Sequence, residues 1–320
     1  MNNPAQTKPF HILSLDGGGI KGIFSAAVLA AIEDDLKINI VDCFDLIAGT
    51  STGGIIALGL GLGMKPREIV EFYVREGPRI FPHWCGAKRL QHWVYRKFSS
   101  EPLIAALKSC FKDKRFGDSK KRLIIPSYNL GDDDVYIFRT PHHDRLKRDY
   151  KVPAWKVALA TSSAPTFFSC TREVDSVRLV DGGVWANNPT MIAIIEAYGT
   201  VKIPLDSLWV FSIGTSDAVS HRRQRLNHGG IISWALGNAA VDVIMRGQSL
   251  AAYHQATHLL GRDRVERLNP KVAADEFSLD GVHKADDLIG KGAHHSRVFM
   301  PIFTEKFATH RAAPYGPMHT

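Results

Sequence analysis

A chain of 320 residues with 45% hydrophobic and 22% charged residues has the make-up of a globular protein with a full core, which excludes a disordered polyelectrolyte or a fibrous repeat. Its 40 Lys and Arg against 32 Asp and Glu give a net charge of +8, which suits anionic surfaces such as phospholipid headgroups or nucleotides and equally a solvated basic face. Cys43, Cys85, Cys110 and Cys170 are irregularly spaced without a C-x-x-C pair, so neither a zinc site nor a disulfide framework is expected. Met1 to Pro9 is polar, and no stretch reaches the ~18 apolar residues of a membrane span. The expected setting is cytoplasmic, with peripheral contact at the inner membrane surface.

In chain order, the apolar run Phe10 to Leu15 predicts a strand, and apolar residues at helical spacing from Ile20 to Leu36 predict a helix after a glycine turn. The pattern recurs: a strand at Phe44 to Ala48, a tight turn at Gly49 to Gly54 and a helix from Ile55. Two strand-turn-helix units in succession imply a parallel sheet covered by helices. Pro66 to Phe116 reads as mainly helical and carries an aromatic and basic cluster from Arg79 to Phe98, whose composition fits either a lid or interfacial surface or an ordinary helix core. Strands are expected at Arg122 to Ser127 and Val135 to Arg139, then a helix at Trp155 to Thr161, a strand at Val177 to Val180, a helix after Pro189, a strand at Leu208 to Ile213 and a long helical region from Ile231 to Leu260. Mixed strand and helix and a Gly/Pro/His-rich tail complete a single domain spanning 1–320, with no internal repeat.

Three short motifs carry chemistry. Gly49 to Gly53 is a G-x-S-x-G centred on Ser51, placed between a strand and a helix, where a nucleophile sits on a strained turn and the helix N-terminus favours a developing oxyanion. Asp16 to Gly22 places Gly17, Gly18 and Gly19 where backbone amides can turn inward on an anion, followed by Lys21. That turn also satisfies G-x-G-x-x-G, with Glu33, Asp34 and Asp35 downstream, so a nucleotide-binding module without hydrolysis stands as the rival. Asp181, followed by Gly182 and Gly183, ends a strand and supplies a carboxylate able to take a proton from a serine. An α/β-hydrolase triad would need a late histidine such as His221, His254 or His283, but Ser51 follows only the second strand, and none of these lies in a distinctive motif.

In this order, the three motifs resemble the pattern of the patatin-like phospholipase family, D-G-G-G-x-[R/K]-G, then G-x-S-x-G, then D-G-[G/A]. Ala160 to Phe168, Val184 to Pro189 and Ser212 to Thr215 are also similar to the family, so the resemblance spans Phe10 to Thr215, about two-thirds of the chain. It implies a three-layer α/β/α fold with a mostly parallel central sheet, a Ser51/Asp181 dyad without histidine, an oxyanion hole from Gly17, Gly18 and Gly19, and motif support from Asp16, Lys21, Gly22, Gly49, Gly53, Gly182 and Gly183. It implies hydrolysis of fatty acyl esters of membrane phospholipids with no metal or other cofactor required. The chain also looks similar to bacterial patatin-like antiviral effectors, which implies a cyclic oligonucleotide activator, a homo-oligomer formed on ligand binding, and a regulatory part within 216–320. The basic stretch Arg222 to Arg225 and the helix after it are candidate places for the nucleotide. A constitutive lipase or esterase is the alternative within the family, and no nucleic acid polymer is implied.

Overall fold

The computed structural model describes residues 8–82, 96–219, 227–228, 230, 234, 239–273 and 276–320. Strand β1 (Phe10–Leu15) is buried throughout; Phe10 and Ile12 join one hydrophobic cluster, Leu13 and Leu15 the other. That division is what a strand covered by helices on both faces requires. A 3-10 turn at Gly19–Lys21 feeds helix α1 (Gly22–Leu36). Strand β2 (Leu46–Gly49) passes through Ser51 into α2 (Thr52–Gly61), a helix buried on every side and accordingly apolar all round. Helices α3 (Pro66–Ile80) and α4 (Glu101–Phe111) precede the hairpin of β3 (Arg122–Asn129) and β4 (Asp134–Arg139). Then follow α5 (Ala154–Ser162), β5 (Leu179–Asp181), α6 (Thr190–Gly199), β6 (Leu208–Ile213), β7 (Asp217–Val219) and α7 (Ala239–Leu260). Strands β8 (Val265–Leu268) and β9 (Lys271–Ala273) and helix α8 (Ala285–Lys306) complete the described elements.

The main sheet has the order β4-β3-β2-β1-β6-β8, with β5 also on β3; β7 and β9 pair separately. Pairing is parallel from β3 through β2, β1 and β6 to β8, while β4 and β5 run antiparallel to β3. Phe24, Ile56, Leu107 and Phe303 fill one side of the sheet; Ala193, Ile194, Ala256 and Leu260 of α6 and α7 fill the other. This is the expected three-layer α/β/α arrangement with a mostly parallel sheet.

Register explains how distant segments meet. On one edge of β3, β2 pairs with Arg122 to Ile124, and β5 takes the next stretch, Ser127 to Asn129; β4 occupies the other edge. The ends of β2 and β5 therefore approach each other head to head, at the carboxyl end of the parallel strands. That is where open α/β sheets build their sites.

Some boundaries differ from expectation. β2 starts at Leu46, because Ile40–Cys43 closes a 3-10 turn first, and β5 runs to Asp181 itself. The C-terminal region contains the 22-residue helix α8, where Gly290, Gly292 and Pro301 interrupt the apolar spacing that would have announced it. Residues 83–95 of the aromatic cluster, 220–226 with His221 and Arg222 to Arg225, and most of 231–238 lie outside the described residues.

Candidate active site

Ser51 has φ 54° and ψ −122°, a conformation that a residue with a Cβ adopts only at a cost of roughly 1–3 kcal/mol. Local contacts hold it there. Its amide donates to Thr161 Oγ1 at 3.0 Å, and that hydroxyl donates to the Pro126 carbonyl at 2.6 Å, tying the turn to α5 and β3. Gly53 admits the first turn of α2 beside β1, since a Cβ would lie 2.2 Å from the Leu15 carbonyl. The outcome is a serine hydroxyl at the mouth of a helix N-terminus, facing a cavity.

Asp181, the last residue of β5, is 5% exposed. Its carboxylate accepts a hydrogen bond from the Gly183 amide at 2.7 Å and lies near enough to the Ser51 side chain for that group to favour its ionised form. Burial raises its pKa to about 6, against the pull of those two groups. A carboxylate in that state is mostly ionised at neutral pH and is a far stronger base than an exposed aspartate.

The first glycine turn is pinned at several points. The Asp16 carboxylate pairs with Arg267, the Gly17 carbonyl accepts from Thr215 Oγ1 at 3.0 Å, and the Ile20 amide donates to the Leu279 carbonyl at 2.8 Å. Gly18 and Gly19 line the cavity together with Ser51 and Asp181. Gly19 has φ +58°, and a Cβ there would lie 2.2 Å from the Leu279 carbonyl. Gly17 requires a correction. Its amide donates to the Asn187 carbonyl at 3.0 Å and is spent on holding the turn, so the expectation that it serves an oxyanion does not hold. Lys21 Nζ reaches the Ser216 carbonyl at 3.4 Å, while Gly22 opens α1, Gly49 ends β2 and Gly182 leads from β5 into a helical turn at Gly183–Ala186.

The cavity is about 320 Å³, walled by Phe72, Ile80, Phe81, Phe168 and Met245, with the exposed side chains of Val184, Val241 and Ile244 on its lining. Phe81 and Phe98, from the two ends of the aromatic cluster, pack with Phe168, so these members are wall and core. No histidine is among the described residues lining the cavity, and His254 and His283 are exposed, so neither of these two serves the triad alternative; His221 lies outside the described residues. Glu33 accepts from the Ile40 amide and Asp34 pairs with Arg67, both at the far end of α1, where a ribose on the glycine turn would be out of reach. Among the described residues no group of three His, Cys, Asp or Glu could hold a metal ion, and no helix is long and apolar enough to cross a membrane.

Three participants were not legible as such. Thr161 and Asn187 lie in stretches flagged only by resemblance, and Asn187 brings to the wall a buried Oδ1 that lacks a partner among the described residues. Arg267 lies in no motif; its partner is 251 residues away.

Residues 13–194 match the family model described as Patatin-like phospholipase. A protein of Pseudomonas aeruginosa named cGAMP-activated phospholipase is 31% identical over 96% of this chain and 96% of its own length. A protein of the same name from Vibrio cholerae is 37% identical over 94% of this chain and 92% of its own, and one from Escherichia coli is 35% identical over 64% of this chain and 61% of its own.

Proposed function

Since the chain belongs to the patatin-like phospholipase family and is thereby a lipid ester hydrolase, we propose that Ser51 is its nucleophile, Asp181 its base, and a membrane phospholipid its substrate. The observation that carries this reading is the meeting of the strained Ser51 and a buried Asp181, whose pKa is raised to about 6, on the lining of one apolar cavity beside Gly18 and Gly19. In this mechanism Asp181 accepts the hydroxyl proton as Ser51 Oγ attacks the acyl carbonyl, and the tetrahedral oxyanion takes hydrogen bonds from the Gly18 and Gly19 amides. Collapse returns the proton to the departing alcohol and leaves an acyl-serine. Water, deprotonated by the same carboxylate, then releases the fatty acid. No metal or cofactor enters these steps.

The apolar cavity suits an acyl chain, and the exposed Val184, Val241 and Ile244 would let a lipid enter from a bilayer without crossing water. Peripheral action at the inner face of the membrane is part of this reading. The names of the relatives support an extension of it, that the hydrolase is switched on by a cyclic dinucleotide of the cGAMP type. Assembly of copies on binding and a regulatory part within 216–320 of a single domain complete this reading.

Fatty acid release from phosphatidylethanolamine/phosphatidylglycerol vesicles by the full chain, with and without cGAMP, tests both parts. Release should rise at least about tenfold with nucleotide and be lost, by orders of magnitude, in Ser51→Ala. Undiminished release by Ser51→Ala would remove the dyad. Release indifferent to nucleotide would remove the switch and leave a constitutive lipase.

A further inference from the structure

The Asp16 carboxylate is buried at the entry to the glycine turn, and so is the cation that meets it: their side chains are 4% and 8% exposed. Arg267 Nη2 lies 2.6 Å from Asp16 Oδ2 and Nη1 lies 3.2 Å from Oδ1, a fork on a fork. The same two nitrogens bond Ser212 Oγ at 2.7 Å and Ser249 Oγ at 3.1 Å, and the Ser249 hydroxyl donates in turn to Asp16 Oδ2 at 3.1 Å. Four elements thus converge on one guanidinium: the end of β1, β6 through Ser212, α7 through Ser249, and β8, which supplies the arginine. Ser212, Ser249 and Arg267 all lie beyond the stretch that matches the family model.

Three glycines in a row have little conformational preference of their own, so a turn built from them holds one shape only if its surroundings impose it. The Gly17 carbonyl and amide and the Ile20 amide are tied by neutral bonds. Asp16 is the turn's charged anchor, and it sets the direction in which the chain leaves β1. A buried ion pair is weak evidence for stability but is directional, and a bidentate one fixes an angle as well as a distance.

We propose that Arg267 is a positioning residue for acyl transfer: by gripping Asp16 with both arms it orients the glycine turn so that the Gly18 and Gly19 amides face the oxyanion formed at Ser51. Ser249 joins that grip to α7, the helix whose Val241, Ile244 and Met245 wall the cavity, so the oxyanion donors and the acyl wall share one support. This inference rests on the Ser51/Asp181 reading and adds to it a requirement for the C-terminal region in the chemical step.

The test uses the full chain, with nucleotide present, on a soluble short-chain ester, with rates normalised to sites titrated by an irreversible phosphonate. Arg267→Lys keeps the charge and loses the fork; Arg267→Gln paired with Asp16→Asn removes both charges and leaves no ion buried alone. Each should lower kcat at least about tenfold while KM stays within about twofold, and the double variant should lose no more than the worse of its single variants. Affinity for a reversible tetrahedral analogue such as a trifluoromethyl ketone should fall by the same factor as kcat/KM, whereas an uncleavable ether analogue should bind as before. Unchanged kcat per titrated site in Arg267→Lys and in the double variant overturns the proposal, as does equal weakening of both analogues. Ser51→Ala runs alongside: if it alone keeps activity, the dyad reading has failed; if it is inactive and the arginine variants are normal, only the positioning role has.

Discussion

Asp45 and Asp181 sit at opposite ends of the same sheet, each 5% exposed, and their carboxyl groups are displaced in opposite directions. Burial acts on both by disfavouring the charged form. At Asp45, just ahead of β2, burial is overridden by the His310 ring at 2.7 Å and the His11 amide at 2.9 Å, and the pKa falls below the usual aspartate value. At Asp181 burial prevails, because the opposing groups are a serine hydroxyl and one amide, and the pKa climbs to about 6. Depth in the protein therefore does not by itself set the direction in which a carboxyl group is displaced. The chemistry of its partners does. Asp16 likewise meets a basic side chain, its two oxygens gripped by the Arg267 guanidinium.

The widest separation between the two ends should appear in rates. Asp181→Asn removes the proposed base and should lower kcat by about 10³-fold or more, whereas Asp45→Asn should leave kcat per folded molecule within about twofold, as read by ester hydrolysis normalised to titrated sites. A comparable loss in both variants would mean that the contrast is not about catalysis.

Stability should move the opposite way. A folded pKa raised from 3.8 to about 6 corresponds to a penalty of up to roughly 3 kcal/mol at neutral pH, absent below the unfolded value and complete above the folded one. Asp181→Asn should accordingly be the more stable protein above pH 6, with its advantage in urea midpoint fading between pH 6 and 4. For Asp45 the sign reverses: its depressed pKa contributes stability above the unfolded value that is lost as pH falls through the folded one. Asp45→Asn should cost about 1–2 kcal/mol at pH 7, the scale of a lost charged hydrogen bond, and the gap to wild type should narrow as the pH drops below 4. Equal midpoints for Asp45→Asn and wild type at pH 7 would show that the His310 contact contributes nothing.

The two ends also differ in how far the sequence announces them. Ser51 and Asp181 stand in short motifs whose glycines follow from local crowding, so strand, turn and helix could be placed around them, and the order of the motifs pointed to a family. What no local pattern discloses is partner choice. That β5 turns antiparallel into the edge of β3 vacated by β2 is decided by pairing between residues 50 to 54 positions apart. That the Gly17 amide is taken by Asn187 rather than left for a ligand depends on a loop 170 residues away. Arg267, Ser249, Asp45 and His310 are ordinary residues in ordinary surroundings until the chain folds. Helix α8 was hidden for a different reason, its glycines and proline obscuring a pattern that packing against α1 nevertheless supports.

The central claim, that Asp181 is the base for Ser51, is tested most directly by the pH dependence of kcat/KM on a soluble short-chain ester. The account predicts a plateau at neutral and alkaline pH and a fall of about tenfold per pH unit below an apparent pKa near 6, with the same profile in His254→Gln and His283→Gln. A plateau that persists to pH 4, or an inflection that shifts when either histidine is replaced, would contradict it.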